Sequence, residues 1–166
     1  MAETDLEYIL SWRNHPDIKR FMLSQHEITL AEHRNWFHRA SRDESKALLI
    51  AHQNNQALGC VVFSAVNKNS TCDWGFYSAP DNPAGTGTSI CSAALDYAFY
   101  ELKVHKVAGQ VLDYNHASVR IHKRLGFLEE GKIKKVKVTA LVNTGVYMLT
   151  INDKIRNQLD LPLIEK

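Results

Sequence analysis

Two short segments carry the residue types that could do chemistry, and the first is a glycine-rich loop. Gly85-Thr86-Gly87 follows an apolar segment and opens a helical pattern, and glycines there let free amides at a helix start approach a phosphate. Thr88 and Ser89 add hydroxyl groups to that of Thr86. Position 90 is Ile, which excludes a G-x-G-x-x-G fingerprint, and no Gly-Lys-Ser/Thr follows to make a P-loop. The loop therefore predicts an anion site, with a plain glycine turn before a helix as the alternative.

The second segment runs from Asn115 to Phe127 and reads N-x-x-S-x-x-x-H-x-x-L-G-F. Asn115 is a good helix N-cap, and Gly126 is suited to end the helix in the left-handed conformation. A capped amphipathic helix would explain the asparagine, the glycine and the apolar stripe between them. It would not explain why this helix follows the glycine loop after one intervening strand.

Taken together, residues 74–127 resemble the GNAT family of N-acetyltransferases. The loop is similar to that family's pyrophosphate loop, R/Q-x-x-G-x-G/A, with Asn82 at the Arg/Gln position. The resemblance implies acetyl-CoA as co-substrate, a mixed α/β sheet flanked by helices, and an Asn115 side chain that orients a water molecule or the pantetheine. The coenzyme-binding residues that it implies are Tyr77, Ser78, Gly85, Thr86, Gly87, Thr88, Ser89, Asn115 and His122.

His122 occupies the position at which the family usually has a tyrosine that protonates the leaving thiolate. A tyrosine, with a pKa of about 10, is almost always protonated, whereas a histidine with a pKa of about 6.5 is largely neutral at pH 7. Three roles for His122 stay open: a catalytic acid, a coenzyme contact, or a packing residue. Asn115 and a strand amide near Tyr77 or Ser78 complete the expected catalytic groups, the amide by stabilising the oxyanion.

The general base must remove a proton from the attacking amine, and the sequence offers few candidates. His33 is the first, since an imidazole suits general base chemistry near neutral pH, although a histidine on an amphipathic helix is commonly a boundary residue. Asp73 and Gln110 lie in strands expected to border the cleft, but a glutamine cannot take the proton. The histidines show no metal-ligand spacing such as H-E-x-x-H, so we expect no metal.

The N-terminal half of the sequence resembles one group within this family, distinguished by its acceptor. The segments 9–16 (ILSWRNHP), 21–22 (FM), 28–29 (IT) and 32–37 (E-H-x-x-W-F) resemble acetyltransferases of nucleotide-linked amino sugars, above all those acting on UDP-4-amino-4,6-dideoxy-N-acetyl-beta-L-altrosamine. This implies acetylation of the 4-amino group of a UDP-linked 4-amino-4,6-dideoxy sugar in pseudaminic acid biosynthesis, for flagellin glycosylation. Ribosomal-protein N-terminal acetyltransferases carry a related Trp-Arg-Asn element, so acetylation of a protein N-terminus is the alternative. A non-catalytic acyl-CoA-binding sensor is the second alternative.

The residue chemistry of this half fits such an acceptor. Arg13 can form charge-assisted hydrogen bonds to a pyrophosphate, and Trp12 or Trp36 offers a ring face to a base or a sugar. Met22 and Trp74 could line an apolar pocket for the 6-deoxy methyl group, with core packing as the alternative for Trp12 and Met22. The expected acceptor-binding residues are Trp12, Arg13, Met22, His33, Trp36 and Trp74.

Helices and strands must bring these residues together, and their predicted order is helices, a three-strand meander, a helix, a strand, a helix and a hairpin. The expected helices are 5–22 with a break near Pro16, 30–41 opened by a Thr29–Glu32 capping box, 86–102 and 115–125, and the expected strands are 47–51, 58–66, 71–78, 105–112, 127–138 and 144–152, before a polar tail. This order predicts a mixed sheet with helices on its faces. GNAT proteins usually have a strand before the first helix. We therefore expect either a sheet without that edge strand or a chain that begins downstream of the natural start.

Length and composition bound the remaining expectations. A chain of 166 residues with 45% hydrophobic and 23% charged residues fits one N-acetyltransferase domain over 1–166. The net charge of +2 argues neither for nor against nucleic acid, and the resemblance implies no nucleic-acid partner. Lys132, Lys134, Lys135 and Lys137 form a basic cluster, either a solvated face or an electrostatic guide for a phosphorylated ligand.

Cysteine usage and the absence of targeting patterns predict a location. Cys60, Cys72 and Cys91 form no C-x-x-C pair, which favours a reducing compartment, and Cys60 and Cys91 have the apolar neighbours of core residues. The acidic start lacks a signal-peptide pattern, and no apolar run approaches the about 20 residues that span a bilayer. We expect a cytoplasmic protein with small-molecule partners and no membrane partner, and leave homodimerisation open.

Overall fold

The elements follow the expected order in the computed structural model, which describes residues 1–137 and 143–158. The strands are β1 (Ala47–Gln53), β2 (Gln56–Ser64), β3 (Thr71–Ser78), β4 (Lys106–Leu112), β5 (Leu128–Lys137) and β6 (Asn143–Asn152). The helices are α1 (Leu6–Asn14), α2 (Pro16–Lys19), α3 (Leu30–Ala40), α4 (Thr86–Asp96), α5 (His116–Arg124) and α6 (Asp153–Gln158), with a 3-10 turn at Glu3–Asp5 and a π-helical turn at Tyr97–Glu101. The strands form one sheet in the order β1-β2-β3-β4-β6-β5, in which β3 and β4 are parallel and the other neighbours antiparallel. The predicted mixed sheet is confirmed.

Local sequence signals set several element boundaries. Asn54 and Asn55 have φ of 49° and 63°, the left-handed values that a two-residue hairpin loop of type I′ requires, and they join β1 to β2. Thr29 Oγ1 accepts the Glu32 N–H at 3.2 Å, while Glu32 Oε2 accepts the Thr29 N–H at 2.7 Å. The predicted capping box at the start of α3 is thereby confirmed.

Helices cover both faces of the sheet. The first face carries α4 and α5. The buried residues of α4 join the main apolar cluster with Val61, Phe63, Trp74 and Val107, and the apolar residues of α5 pack against that cluster. The second face carries α1 and α3, which bury Leu6, Ile9, Phe37 and Ala40. Cys60, Cys72 and Cys91 are all buried free thiols, and the core positions expected for Cys60 and Cys91 are confirmed.

The expected polar tail is wrong for Asp153–Gln158, which forms α6 against α4. Arg156 is only 4% exposed, and its guanidinium donates to Asp96 Oδ1 at 2.6 Å and to Ser92 Oγ at 3.1 Å. The arginine is buried by partners far away in the chain, and local patterning does not reveal such a contact. Residues 159–166 of the expected tail, and residues 138–142 of the expected hairpin, lie outside the described residues.

The basic cluster near the hairpin is partly neutralised. Lys132 Nζ pairs with Asp113 Oδ2 at 2.9 Å and lies 4.8 Å from the centroid of the Tyr147 ring. Lys134 is exposed, and the side chains of Lys135 and Lys137 lie outside the described part of the chain. The ammonium group of Lys132 therefore links β5 to the residue that follows β4, instead of contacting solvent alone.

The start of the chain has a 3-10 turn where GNAT proteins usually have a strand. Within residues 1–137, β1 is the first strand, and it lies at the edge of the sheet. This agrees with the expectation of a sheet without the usual first edge strand. Among the described helices, none is both long and apolar enough to cross a bilayer.

β3 and β4 run side by side and then separate, which opens the site. Their pairing extends from Thr71 opposite Lys106 to Trp74 opposite Gly109. Beyond that pair, β3 continues against β2 and β4 continues against β6. The gap between the two parallel strands leaves backbone N–H and C=O groups without a strand partner, and such groups need a ligand or water.

Candidate active site

A cleft of about 670 Å³ opens at the gap between β3 and β4. Its N-terminal half is formed by α1, α2, α3 and the segment between α2 and α3, and includes Arg13, Asp17, Met22, His33 and Trp36. Its strand half is formed by β3, β4 and α5, and includes Trp74, Phe76, Ser78, Asn115 and His122. The cleft therefore brings together most of the residues that the sequence singled out, in a size suited to a small-molecule site.

The register of β2 and β3 shows which strand amides face the gap. The Ala79 N–H donates to the Leu58 carbonyl at 2.8 Å, and the register then pairs Tyr77 with Cys60 in the same hydrogen-bonded manner. Since hydrogen-bonding direction alternates along a strand, the N–H groups of Phe76 and Ser78 point toward the gap. Of the two expected amides, the geometry favours Ser78, whereas the Tyr77 amide faces β2 and its side chain lines the cleft.

The glycine loop lies beside this gap and begins α4. Gly85 has a φ of 98°, and no side chain caps the helix start. A Cβ at Gly85 would meet no atom within 4 Å, so glycine is required there by the backbone conformation rather than by space. Asn82 donates from Nδ2 to the Leu58 carbonyl and so ties the loop to β2. A Cβ at Gly87 would lie 3.1 Å from Ile121 Cδ1, a side chain that lines the cleft.

The loop hydroxyls have different surroundings. Thr86 Oγ1 donates to the Pro83 carbonyl at 2.9 Å and is used inside the loop. Thr88 is half-buried and Ser89 is exposed. Among the described residues, 85–89 do not themselves line the cleft but adjoin it through Ile121. A ligand that reaches both the cleft and the free amides of α4 must therefore be extended.

Asn115 places α5 along the strand half of the cleft. Its Oδ1 accepts the Ser118 N–H at 3.1 Å, which confirms the predicted N-cap. Asn115, Ser118 and His122 all line the cleft. The helix therefore presents one polar row to the space beside β4.

His122 lies at the floor of the cleft and is 2% exposed. Trp74 Nε1 is 3.3 Å from His122 Nε2, and an indole N–H can only donate, so Nε2 accepts. In the neutral ring, Nδ1 then carries the proton and donates to the Ser118 carbonyl at 2.8 Å. Burial lowers the pKa of His122 to about 4, and the hydrogen bond to Ser118 opposes this only in part. The ring is neutral at pH 7, which favours the packing role over that of an acid.

The N-terminal half contains two buried polar atoms that have no hydrogen-bond partner among the described residues, Arg13 Nη1 and His33 Nδ1. Arg13 donates from Nη2 to the Ser24 carbonyl at 2.8 Å, which fixes the guanidinium while leaving Nη1 free. Burial lowers the pKa of Arg13 from its ordinary value, and the nearby Tyr77 opposes this. The guanidinium of Arg13 thus keeps a hydrogen-bond donor without an acceptor among the described residues.

His33 is held in a form suited to accept a proton. It is 5% exposed, and its ring stacks on Trp36 with centroids 5.3 Å apart. Burial lowers its pKa below 6.5, a hydrogen bond to the Leu6 carbonyl opposes the shift, and Arg13 adds to it. Because Nδ1 has no partner, the bond to Leu6 comes from Nε2, which leaves a lone pair on Nδ1.

The carboxylates of the N-terminal half are already engaged. Asp17 Oδ1 lies 3.2 Å from Arg20 Nη2. Glu32 Oε2 accepts from both the N–H and the hydroxyl of Thr29 in the capping box. Of the charged groups that line this half in the described structure, Arg13 therefore keeps the clearest unmet hydrogen-bonding capacity.

The remaining expected residues divide between the cleft and its surroundings. Met22, Trp36 and Trp74 line the cleft, whereas Trp12 packs against Tyr8 with ring centroids 5.1 Å apart and is not among its described lining residues. Of the other base candidates, Gln110 lines the cleft, and Asp73 is exposed outside it. In residues 1–137 and 143–158, no group of three or more His, Cys, Asp or Glu side chains could hold a metal ion.

Gly109 lines the cleft, and the sequence reasoning missed it. A Cβ there would lie 2.7 Å from Trp74 Nε1 and 2.8 Å from His122 Nε2, so a larger residue would displace one of the two rings. The available signal was a lone glycine inside the apolar strand β4, a pattern that marks close approach by another group.

The cleft, the glycine loop and α5 together have the form of an acyl-coenzyme site, and comparison with known proteins decides the family. The sequence model of the family described as "Acetyltransferase (GNAT) domain" matches residues 1–128. The chain belongs to the GNAT family. As a GNAT protein it is an acetyltransferase that uses acetyl-CoA, as the loop and the asparagine helix implied.

Curated relatives include Acetyltransferase PseH from Campylobacter jejuni serotype O:23/36, strain 81-176. It is 31% identical over 123 residues, which cover 74% of this chain and 76% of that protein. The SPbeta prophage-derived uncharacterized N-acetyltransferase YokL of Bacillus subtilis is 31% identical over 101 residues, covering 59% of this GNAT chain and 56% of that one. The similarity to PseH covers most of both chains and is consistent with the expected relationship.

Solved structures confirm the GNAT fold. Spermidine N-acetyltransferase from Vibrio cholerae, in complex with CoA and spermine, aligns with a TM-score of 0.87 at 19% identity and covers 95% of both chains. Campylobacter jejuni N-acetyltransferase PseH, in complex with acetyl coenzyme A, aligns with a TM-score of 0.69 at 20% identity over 92% of this chain and 93% of that one. Because likeness at this level of identity shows the fold alone, the acceptor of this GNAT protein has to be argued from its cleft.

Proposed function

We propose that the chain transfers the acetyl group of acetyl-CoA to the 4-amino group of a UDP-linked 4-amino-4,6-dideoxy sugar. The reaction would belong to pseudaminic acid biosynthesis and serve flagellin glycosylation. The similarity to Acetyltransferase PseH over 74% of this chain supports that class of acceptor. We place the reaction in the cytoplasm, since the three cysteines are free thiols, as is usual in a reducing compartment.

The observation that carries the proposal is the unpaired edge of Arg13. A UDP-sugar contains a pyrophosphate, and a guanidinium forms strong charge-assisted hydrogen bonds to phosphate oxygens. Arg13 lines the N-terminal half of the cleft, and its buried Nη1 has no hydrogen-bond partner among the described residues. A phosphate oxygen there would supply the missing hydrogen bond and remove the cost of an unsatisfied buried donor.

The same half of the cleft disfavours a cationic acceptor. A polyamine or a protonated peptide N-terminus would bring positive charge close to Arg13, and like charges in one site repel. Asp17 and Glu32, the carboxylates that could compensate, already bind Arg20 and Thr29. The charge arrangement therefore supports an anionic acceptor over the alternatives of a peptide N-terminus or a polyamine.

Apolar groups complete the proposed acceptor site. Trp36 lines the cleft beside His33 and offers a ring face to a base or sugar. Met22 lines the same half and provides apolar surface for a 6-deoxy methyl group. These two residues would orient a sugar whose pyrophosphate is bound by Arg13.

His33 is the proposed general base. His33 lines the cleft, and its buried Nδ1 has no hydrogen-bond partner among the described residues, so the neutral ring keeps a lone pair that can take a proton. The acceptor nitrogen attacks the thioester carbonyl, the new C–N bond forms, and the amine proton passes to His33. The C–S bond then breaks, and the thiolate takes a proton from water. The N–H of Ser78, which faces the gap, would stabilise the oxyanion.

The coenzyme would lie between the separated strands. Thr86, Thr88 and Ser89 donate their amides to the carbonyls of Pro83 and Gly85 within the loop. The amides of Gly85 and Gly87 would therefore bind the pyrophosphate, at the positive end of the α4 dipole. The gap-facing N–H and C=O of Phe76 and the carbonyl of Ser78 would hydrogen-bond the amide-containing pantetheine arm, while the Ser78 N–H is kept for the oxyanion. Asn115 lines the opposite wall and would contact the same arm or a water molecule.

The test is a thiol-release assay with acetyl-CoA against UDP-4-amino sugars, N-terminal peptides and spermidine. We expect turnover with a UDP-4-amino-4,6-dideoxy sugar, and a raised KM for that sugar in Arg13→Ala with a smaller effect on a 4-amino sugar lacking UDP. Arg34→Ala is the matched control, because Arg34 is exposed and pairs only loosely with Glu7 at 3.6 Å. Equal loss on both sugars, or preferred turnover of spermidine or a peptide, would contradict the proposal. No turnover of any amine would instead support the acyl-CoA sensor.

A further inference from the structure

Three residues meet at the apex where β3 and β4 separate. Trp74 and Gly109 form the last residue pair between the two strands, and the His122 ring lies over them from α5. The Cβ distances at Gly109, 2.7 Å to Trp74 Nε1 and 2.8 Å to His122 Nε2, show that only glycine leaves room for this contact. The apex is thus filled by an indole from β3 and an imidazole from α5, in the space that a side chain at position 109 of β4 would otherwise occupy.

The pair forms a continuous hydrogen-bonded connection from β3 to α5. Trp74 Nε1 donates to His122 Nε2 at 3.3 Å, and His122 Nδ1 donates to the Ser118 carbonyl at 2.8 Å. Phe127 packs on both rings, with its centroid 4.7 Å from that of His122 and 5.3 Å from that of Trp74. Both ring nitrogens of His122 are therefore engaged, and the ring is enclosed by aromatic neighbours.

We propose that Trp74, Gly109 and His122 form a wedge that holds the gap between β3 and β4 at the width acetyl-CoA requires. His122 is then a positioning residue, which acts through Trp74 as a neutral hydrogen-bond acceptor and transfers no proton. This inference rests on the proposed place of the coenzyme between the strands. It does not depend on the identity of the acceptor.

The connection explains how His122 would affect the coenzyme without reacting with it. Trp74 is followed along β3 by the gap-facing amides of Phe76 and Ser78. A rotation of the indole would therefore shift the β3 backbone that carries these amides. The carbonyl of Ser118 belongs to α5, the opposite wall of the same gap. Loss of the imidazole acceptor would leave the buried Trp74 N–H unpaired, and the structure would relax by moving one wall against the other.

The test compares His122→Phe with His122→Gln. Phenylalanine keeps an aromatic ring but removes the acceptor, and we expect its Kd for acetyl-CoA, measured by calorimetry, to rise about tenfold, in line with one buried donor left unpaired. The glutamine amide oxygen can accept from Trp74 but cannot act as an acid, so His122→Gln should recover most of the affinity and turnover. His116→Gln, an exposed histidine on the same helix, is the matched control and should behave as the native chain.

A double-mutant cycle separates the wedge from general packing. Trp74→Phe removes the donor of the same hydrogen bond, so Trp74→Phe/His122→Phe leaves no N–H unpaired. The double variant should therefore bind acetyl-CoA more tightly than the sum of the two single effects predicts. Melting curves accompany each variant. If His122→Phe does not fold, His122→Gln and Trp74→Phe still report on the bond through their Kd.

Two results would overturn the wedge. One is a His122→Gln variant that binds acetyl-CoA normally yet has turnover as low as His122→Phe, because that would assign a chemical step to the imidazole. The other is strict additivity of the Trp74→Phe and His122→Phe effects on Kd. Because coenzyme binding is measured without an acceptor, failure of the UDP-sugar proposal would leave the Kd comparison valid, and turnover would then be followed with whichever amine the thiol-release assay identifies.

Discussion

Arg156 and Asp96 form an ion pair beneath α6, with Nη2 of the arginine 2.6 Å from Oδ1 of the aspartate. The Arg156 side chain is 3% exposed and that of Asp96 19%. The guanidinium also donates to Ser92 Oγ at 3.1 Å. A segment that follows the last strand is thus fastened to α4, the helix that begins at the glycine loop.

Removing the acidic partner should destabilise the fold strongly. In Asp96→Ala the buried guanidinium of Arg156 would lose its counter-charge, and we expect the free energy of unfolding to fall by about 3 kcal/mol. Urea denaturation checks this. Glu7→Ala, which breaks the exposed Arg34–Glu7 pair, should cost less than about 1 kcal/mol. Similar losses in the two variants would show that Arg156 gains little from burial with Asp96.

A carboxylate at the glycine loop should weaken coenzyme binding through charge. Gly85→Asp would place a negative group at the helix start where a phosphate is proposed to bind, and we expect the acetyl-CoA Kd to rise at least about tenfold. Gly85→Asn is the matched control, because it has nearly the same shape, tolerates the positive φ of 98° about as well, and carries no charge. Equal Kd values for the two variants would remove the loop from the coenzyme site.

His33 should set the acidic limb of the pH–rate profile. A base works only when deprotonated, so kcat/KM falls as pH decreases through its pKa, and burial places that pKa below 6.5. The midpoint of this limb should therefore lie below about pH 6.5. His33→Gln should lower the rate and lose this limb. A limb centred above 6.5, or one that persists in His33→Gln, would assign the base elsewhere.

His122 should make the fold sensitive to acid. Its pKa is lowered by burial to about 4 in the folded chain, against about 6.5 when unfolded, so the unfolded state binds more protons between these values. The free energy of unfolding should therefore fall as pH decreases from about 6.5 to about 4, by roughly 3 kcal/mol from this group. Urea melts across this range should show a smaller slope for His122→Gln. Parallel slopes would mean that the ring is protonated without penalty.

Local chemistry accounts for the parts of the fold that the sequence predicts well. The Thr29–Glu32 capping box and the Asn115 N-cap each depend on residues a few positions apart, and each is present as expected. The Asn54-Asn55 turn is equally local. The glycine loop is in the same class, because a positive φ at Gly85 follows from its place before α4.

Long-range contacts account for what the sequence does not reveal. The environment of His122 depends on Trp74, which lies 48 positions earlier, and on a glycine in a third element. Burial of Arg156 depends on Asp96, 60 positions away. Trp12 packs on Tyr8 and not in the cleft. This too depends on long-range contacts, because they decide which side of α1 faces the cleft.

The depth at which the cysteines lie has a practical consequence for measuring turnover. Burial raises the pKa of Cys60 to about 11 and that of Cys72 to about 12, and it raises that of Cys91 well above its ordinary value. Since the thiolate is the form that attacks disulfide reagents, these side chains should react slowly in the native protein. A chromogenic disulfide added to the reaction should therefore count liberated coenzyme A with little background, and a late rise in colour would report unfolding rather than catalysis.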